Sequence, residues 1–434
     1  VLVSGSSDVG FEITFSEGNS RYGYGCYLFT LPSGELVYEL YDSSSYILVG
    51  DKPYALEIYN PITGLWRKTQ DLPFTYSPVY PTYYGPVVFP LDSNSIMVVN
   101  GTSSYRIDTQ LGSYTTMTAL GVSRTRAYAA DPGSGSLAQD MDRNNLVFSA
   151  SNGKFILVGH DFAYPNRLRI TKYDPVADTW TDTSATWTAY FKYVNSAVKM
   201  SNGKILICSP FSGYQDLTKL MVVYDPVADT FTSIANTAAL AYKHLIPLSN
   251  GKVLCIPDGA INPTYLAVFD PSNNTLTKLT STANLYQQDS GYPIALSNGK
   301  VLVRKAAGGN TFRLFNPSDN SLSSEFSYVR GAQSVTTYAF ECLVVVSRGL
   351  LVLGYGSQNV IGSASDYTAN QFYDIDTANF YALDPGHYIR GWYHVPQAVS
   401  LSVTKNLLTG VILGTSTSDP DWKAKSLTTE IATF

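Results

Sequence analysis

Residues 199–232 read KMSNGKILICSPFSGYQDLTKLMVVYDPVADTFT. A short strand runs into Ser201-Asn202-Gly203-Lys204 and leaves as Ile205-Leu206-Ile207. Asn-Gly at the tip predicts a two-residue hairpin turn, in which both central residues take left-handed backbone angles. After a polar connection, Met221-Val222-Val223-Tyr224 meets Asp225-Pro226, turns, and resumes at Phe231. Asp-Pro opens a turn because proline presets φ while the aspartate side chain folds back on the following backbone. The segment therefore reads as four antiparallel strands, two around each turn.

Both halves recur along the chain. The Asp-Pro half is an aromatic or apolar residue, then Asp or Asn, then a second aromatic or apolar residue seven positions after the first. Its copies are Tyr59-Asn60 with Trp66, Ile107-Asp108 with Tyr114, Tyr173-Asp174 with Trp180, and Tyr224-Asp225 with Phe231. Phe269-Asp270 with Leu276, Phe315-Asn316 with Leu322, and Tyr373-Asp374 with Phe380 continue the series. The hairpin half recurs at Ser33-Gly34, Ser93-Asn94, Asn152-Gly153, Asn202-Gly203, Asn250-Gly251, Asn298-Gly299 and Arg348-Gly349, with a degenerate copy at Lys405-Asn406. Two distinct half-motifs in strict alternation, at a period near fifty residues, define a repeat array.

Composition fits such an array. The 33 Tyr, 33 Gly and 22 Pro in 434 residues favour strands and turns over helices. The length exceeds a single ordinary core, so the chain is several domains or one modular ring. A net charge of −5 argues against general nucleic-acid binding, and no apolar run is long enough for a membrane-spanning helix. The four cysteines, Cys26, Cys208, Cys255 and Cys342, lack the paired spacing of a zinc site. Cys208 and Cys255 occupy equivalent strand positions in neighbouring repeats and read as buried packing residues. The sequence opens at Val1 without a basic-then-apolar stretch, which reads as a chain with no leader of its own.

Asn250-Gly251-Lys252-Val253-Leu254, taken with Tyr173-Asp174-Pro175 and Trp180, resembles the kelch and galactose-oxidase-like β-propeller repeat. The likeness runs from about Cys26 to the C-terminus. It departs in one respect: the glycine pair that ends the second kelch strand stands only at Gly308-Gly309, with single glycines at Gly101, Gly159, Gly354 and Gly414. The resemblance implies an all-β propeller of four-stranded antiparallel blades over residues 1–434. One such sheet cannot bury both of its faces alone, so each packs on its neighbours until a circle closes. A lone strand at residues 9–15 and the segment 395–434 are expected to complete one blade together. That gives eight blades; seven with an appended C-terminal hairpin is the alternative. Residues 71–90 and 121–145 interrupt the period and read as long inter-blade loops.

In propellers of this kind the innermost strand starts on the face that holds the binding site. The residues just before the hairpins place Arg21, Tyr83, Tyr84, Lys192, Lys243, Arg330 and Arg390 around a channel mouth, a basic residue beside aromatics in most repeats. Such pairs bridge adjacent blades, or they bind glycan and anionic groups by hydrogen bonding and stacking. The expected protein is a non-enzymatic binding or structural propeller of a virion tail, spike or appendage, or of another extracellular surface. It would contact glycan or neighbouring subunits, with no cofactor, no nucleic acid and no membrane insertion. Enzymatic function is the alternative. The galactose-oxidase likeness implies a copper site of His and Tyr ligands, for which His244, Tyr393 and His394 are the candidates. Lys243 beside His244 is an unfavourable neighbour for a cupric ion. A propeller polysaccharide lyase or glycosidase, with carboxylates that spacing alone does not identify, completes the alternatives.

Overall fold

The computed structural model describes residues 28–40, 52–60, 63, 65–76, 82–121, 126–129, 146–160, 168–183, 196–208, 221–234, 242–257, 265–279, 293–296, 298–304, 311–327, 342–346, 349–353, 371–374, 379–382, 398–401, 407–412 and 425–430. They form an all-β chain of β-propeller blades. The fourth repeat shows the pattern. Ser196–Lys199, Ile205–Cys208, Met221–Asp225 and Thr230–Ser233 pair antiparallel in chain order. Its neighbours do the same: Val147–Ser149, Phe155–His160, Leu168–Asp174 and Thr179–Asp182 before it, and Tyr242–Pro247, Val253–Pro257, Ala267–Asp270 and Thr275–Lys278 after it. Among the described residues six sheets have four strands in this up-and-down order. The sixth repeat carries a fifth strand, and the last sheet, Ala398–Leu401, Leu407–Ile412 and Lys425–Glu430, has three. Blades are numbered here in chain order.

The seven-residue offset read from the sequence is a cross-strand pair. Tyr59 faces Trp66, Ile107 faces Tyr114, Tyr173 faces Trp180, and Tyr224 faces Phe231 in direct register. Phe269–Leu276, Phe315–Leu322 and Tyr373–Phe380 repeat it. A turn of fixed length between two strands enforces that spacing.

The core lies between blades. Period-two alternation sends Ile205 and Ile207 toward Ile156 and Ile170 of the third blade. Leu206 and Cys208 point the other way, into a cluster with Tyr242, Cys255 and Phe269 of the fifth. Both faces being covered, all four residues of Ile205–Cys208 are buried, which explains the unbroken apolar run in the sequence. Clusters of the same kind join the first blade to the second, the second to the third, and the fifth to the sixth. Ala398–Leu401 of the last sheet lies against Leu28–Thr30 of the first.

Two expectations from the sequence need correction. The Asn-Gly hairpins are not two-residue turns. Met200 N–H donates to Lys204 O at 2.8 Å and Gly203 N–H to Met200 O at 3.0 Å, closing a three-residue Ser-Asn-Gly loop. Only the glycine is left-handed, with φ of 79° at Gly203 and close values at Gly34, Gly153, Gly251 and Gly299. A turn of this kind followed by one left-handed glycine matches strand twist as well as the two-residue form does. It frees the asparagine for other work: Asn202 Oδ1 accepts from Lys204 N–H at 3.1 Å. Nor are residues 71–90 and 121–145 loops throughout. Thr75–Tyr76 pairs with Lys52–Pro53, Thr82–Gly85 pairs with Arg126–Ala129, and Val87–Pro90 is the inner strand of the second blade. Runs such as Thr82-Tyr83-Tyr84 and Val87-Val88-Phe89 have strand propensity that their flanking prolines obscure. The expected strand at 9–15 lies outside the described residues.

Candidate functional site

An up-and-down sheet has two unlike ends. The hairpin loop (between the first and second strands) and the Asp-Pro turn (between the third and fourth) fall at one end. The connections from second to third strand, and from one blade to the next, fall at the other.

The first end is tightly built. In the Asp-Pro turns the leading carboxylate caps the next two free N–H groups. Asp225 Oδ1 accepts from Val227 and Ala228, both at 3.0 Å, and Asp174 does the same for Val176 and Ala177. The fifth turn residue is left-handed: Asp178, Asp229, Asn274 and Asn320 have φ between 47° and 58°. Short polar side chains tolerate that region best after glycine, which stands at the equivalent Gly112. In the third, fourth and fifth blades the hairpin lysine then reaches the capping carboxylate of its own blade: Lys154 to Asp174 at 3.2 Å, Lys204 to Asp225 at 3.1 Å and Lys252 to Asp270 at 2.9 Å. Ser272 and Lys252 hold the Asp270 carboxyl down to about 2.

The same turns bind neighbouring blades together. Asn202 Nδ2 donates to Pro271 O at 3.3 Å and Asn250 Nδ2 to Pro317 O at 2.6 Å, each a hairpin asparagine reaching the next blade's Asp-Pro turn. Asp178 accepts from its own Tyr173 hydroxyl at 3.1 Å and from Thr118 of the second blade through N–H at 3.0 Å and Oγ1 at 2.9 Å. Asp229 repeats this with Tyr224 at 2.8 Å, with the Thr183 hydroxyl, and with Lys172 Nζ at 2.9 Å. Burial and the adjacent carboxylate push both tyrosine hydroxyls well above their ordinary pKa. In the fifth and sixth blades Phe269 and Phe315 replace tyrosine, and asparagine replaces the aspartate. This Tyr–Asp, Phe–Asn pairing stands in the sequence at an offset of five and was missed there.

Packing and polar contacts together hold the blades. A fully buried aliphatic side chain contributes about 1.5–3 kcal/mol. A hydrogen bond contributes about 0.5–1.5 kcal/mol net. The three aliphatic side chains of Ile205–Cys208 thus contribute about as much as the polar contacts that join the same sheet to its neighbours.

Of the residues proposed from the sequence, Tyr83, Tyr84, Lys243 and His244 lie among the described residues, toward the other end. Tyr83 and Tyr84 lie in Thr82–Gly85, paired with Tyr128 and Ala127. Lys243 lies in Tyr242–Pro247, where the register slips: Tyr242 pairs with Pro257 and His244 with Ile256, leaving Lys243 as a bulge. Arg21, Lys192, Arg330 and Arg390 lie outside the described residues, as do Tyr393 and His394 of the copper alternative. The bulge has a local consequence. Tyr242 and Leu245 share the face of Cys255, toward the fourth blade, whereas His244 is turned to the opposite face with Ile256 and is 5% exposed. Tyr242 and His244 therefore cannot face one metal ion together. The bulge also opens the strand's backbone to the fourth blade, where Cys208 Sγ donates to Tyr242 O at 3.2 Å and Leu245 N–H donates to Ser196 Oγ at 3.3 Å. Ser196 and Cys208 are cross-strand partners, so one pair of side chains grips both exposed backbone groups.

Among the described residues no group of three His, Cys, Asp or Glu could hold a metal ion, and no helix is long and apolar enough to cross a membrane. A cleft of about 340 Å³ lies between the fourth and fifth blades, lined by Lys199, Met200, Ser201, Leu248, Gly251 and Lys252 among others. It sits at the tight-turn end, away from the residues proposed for binding.

The chain is similar to several solved propellers. One is a fungal alcohol oxidase of the AA5 family in complex with copper (13% identity over 94% of this chain and 74% of the other, TM-score 0.44). Another is an oligogalacturonate lyase from Vibrio parahaemolyticus (9% identity over 77% and 86%, TM-score 0.45). A third is YCF48 bound to a D1 peptide (13% identity over 77% and 94%, TM-score 0.41). No protein-family model and no curated protein matches the sequence.

Proposed function

We propose that the protein is a binding propeller of an extracellular or virion surface, and that its recognition surface is the end carrying the long connections. The observation behind this reading is the unlikeness of the two ends. At one, capped turns spend their polar groups on one another and on the next blade, leaving few for a partner. At the other lie every connection longer than a tight turn, together with Tyr83, Tyr84 and Lys243. Surface loops on a rigid scaffold are where binding residues concentrate. Tyrosine, serine and asparagine provide rigid contact area and adaptable hydrogen bonds for glycan or for a neighbouring subunit. In this reading the eight sheets form one ring, closed where Ala398–Leu401 meets Leu28–Thr30. Arg21, Lys192, Arg330 and Arg390 complete the basic and aromatic ring around its mouth.

A glycan array probed with the whole chain tests this directly. Binding that is lost in Lys243→Ala and in Tyr83→Ala supports the reading. Silence across the array removes the glycan and leaves subunit contact, to be read by cross-linking within an assembly.

Catalysis at the same end is the second reading, as an alcohol- or aldehyde-acting copper oxidase or as a polysaccharide lyase or glycosidase. Of the copper candidates only His244 lies within the described residues, and it is buried against the neighbouring blade rather than open to an entering substrate. Stoichiometric copper in the purified chain, or chain shortening of an acidic polysaccharide, would replace the binding reading with this one.

A further inference from the structure

Four hairpins share the tetrapeptide Ser-Asn-Gly-Lys, at residues 151–154, 201–204, 249–252 and 297–300. An asparagine before glycine is prone to lose its amide, because glycine has no side chain to hinder attack by its own backbone nitrogen. The folded loops restrain that attack in two shared ways. The glycine N–H is held inside the loop, Gly153 donating to Ala150 O at 3.1 Å, and Gly203 to Met200 O and Gly251 to Leu248 O at 3.0 Å. The asparagine Oδ1 accepts from the lysine N–H, at 3.2 Å for Asn152 and 3.1 Å for Asn202 and Asn250. A third restraint is unequal. That lysine N–H fixes which side-chain atom is the oxygen, so Nδ2 points the other way. Asn250 Nδ2 donates to Pro317 O of the next blade at 2.6 Å, and Asn202 Nδ2 to Pro271 O at 3.3 Å. Asn152 makes no such bond among the described residues.

We propose that Asn152 is a site of spontaneous deamidation in the folded chain, and that the next blade's proline carbonyl protects Asn250, and more weakly Asn202, from the same reaction. Gly153 N attacks Asn152 Cγ. The N–Cγ bond forms, the Cγ–Nδ2 bond breaks, and ammonia leaves with the glycine proton. Water then opens the cyclic imide at either carbonyl to give aspartate or isoaspartate, with no change of oxidation state. All three asparagines are exposed, so water reaches each, and their flanking residues are identical. The bond to the next blade is what separates them. Attack requires the loop to open, and one further hydrogen bond lowers the open population roughly two- to twelvefold. At 3.3 Å the Asn202 bond is longer than the usual range, which places Asn202 between the other two. The product adds a negative charge to the tight-turn end beside Lys154, which already pairs with Asp174.

The test holds the whole chain folded in mildly alkaline buffer and samples it over time. Peptide mass mapping then follows the aspartate and isoaspartate products at each site, with the same chain in denaturant as control. The turn that would follow Asn298 in the next blade, residues 375–378, lies outside the described residues, so the comparison is among the other three. In denaturant the three rates should coincide. In the folded chain Asn152 should convert first, Asn202 next and Asn250 last, with Asn152 ahead of Asn250 by at least the factor above. Asn152→Asp should melt with the parent, whereas Asn250→Asp should melt lower, since its carboxylate then faces Pro317 O. Equal rates in the folded chain, any order in which Asn152 is not first, or no product at Asn152 while the denatured chain converts would overturn the proposal. Asn250→Asp melting with the parent would remove the proline carbonyl as the protecting group.

Discussion

Arg67→Ala should destabilise the chain by more than any surface substitution, because it strands a buried carboxylate. Arg67 Nη1 and Nη2 each lie 2.8 Å from one oxygen of Glu35, and Nε donates to Thr109 O of the second blade at 2.6 Å. Glu35 is only 4% exposed and keeps Asn60 Nδ2 at 3.1 Å once the arginine is gone. Breaking a buried pair by removing one partner costs about 3–5 kcal/mol. The Arg67 side chain is 28% exposed, so water offsets part of that, and roughly 2–4 kcal/mol is expected. For a chain of 434 residues the unfolding entropy is large, and about 3 kcal/mol corresponds to a Tm lower by only about 3 °C. Denaturant titration, with its midpoint compared at constant slope, is the better assay.

The pH dependence supplies an independent check. Hydrogen bonding from Arg67 holds the Glu35 carboxyl below its ordinary value of 4.5 against the opposing effect of burial. A carboxyl depressed in the folded state contributes stability that is full above its unfolded pKa and is lost as pH falls through the folded one. Without Arg67 the burial effect dominates and the carboxyl rises, so the acid loss linked to Glu35 disappears or reverses, and the stability gap between the variant and its parent should narrow as pH falls. Glu35→Gln with Arg67→Met should cost less than the sum of the two single changes, since neither leaves the other's charge buried. A loss below about 1 kcal/mol in Arg67→Ala, the range of an exposed pair, together with a gap that does not narrow as pH falls, would refute the reasoning.

Four further outcomes follow from the turns. Gly203→Ala meets open space and should cost only the backbone strain of a left-handed alanine, roughly 1–2 kcal/mol. Gly299→Ala should cost more in the same denaturant assay, because its new Cβ would lie 2.8 Å from Ser249 Oγ, and Ser249→Gly should restore the difference. Tyr224→Phe removes one donor to Asp229 and should cost about 1–2 kcal/mol, while adding Asp229→Asn, the combination found in the fifth and sixth blades, should cost less than the sum of the single changes. Asn250→Ala deletes the 2.6 Å contact to Pro317 O and should raise amide hydrogen exchange at the junction of the fifth and sixth blades more than elsewhere.

What the sequence alone determined was the repeat and where the two turns of each copy fall. The spacing of Tyr173 and Trp180 is a strand, a turn and a strand, and each position in it acts through neighbours a few residues away. Gly203 had to be left-handed and the Asp225-Pro226 turn had to be capped, for reasons contained in those residues. Only the tertiary structure decided what lies across the blade interfaces. That Asn202 spends its amide on Pro271 depends on a sheet 69 residues along the chain. The Glu35–Arg67 pair spans 32 residues of the first blade, and the Lys243 bulge, which turns His244 and Tyr242 opposite ways, lies in the fifth blade's own strand pair. No local period encodes those partners, because period two specifies which face a side chain takes and not what waits on that face.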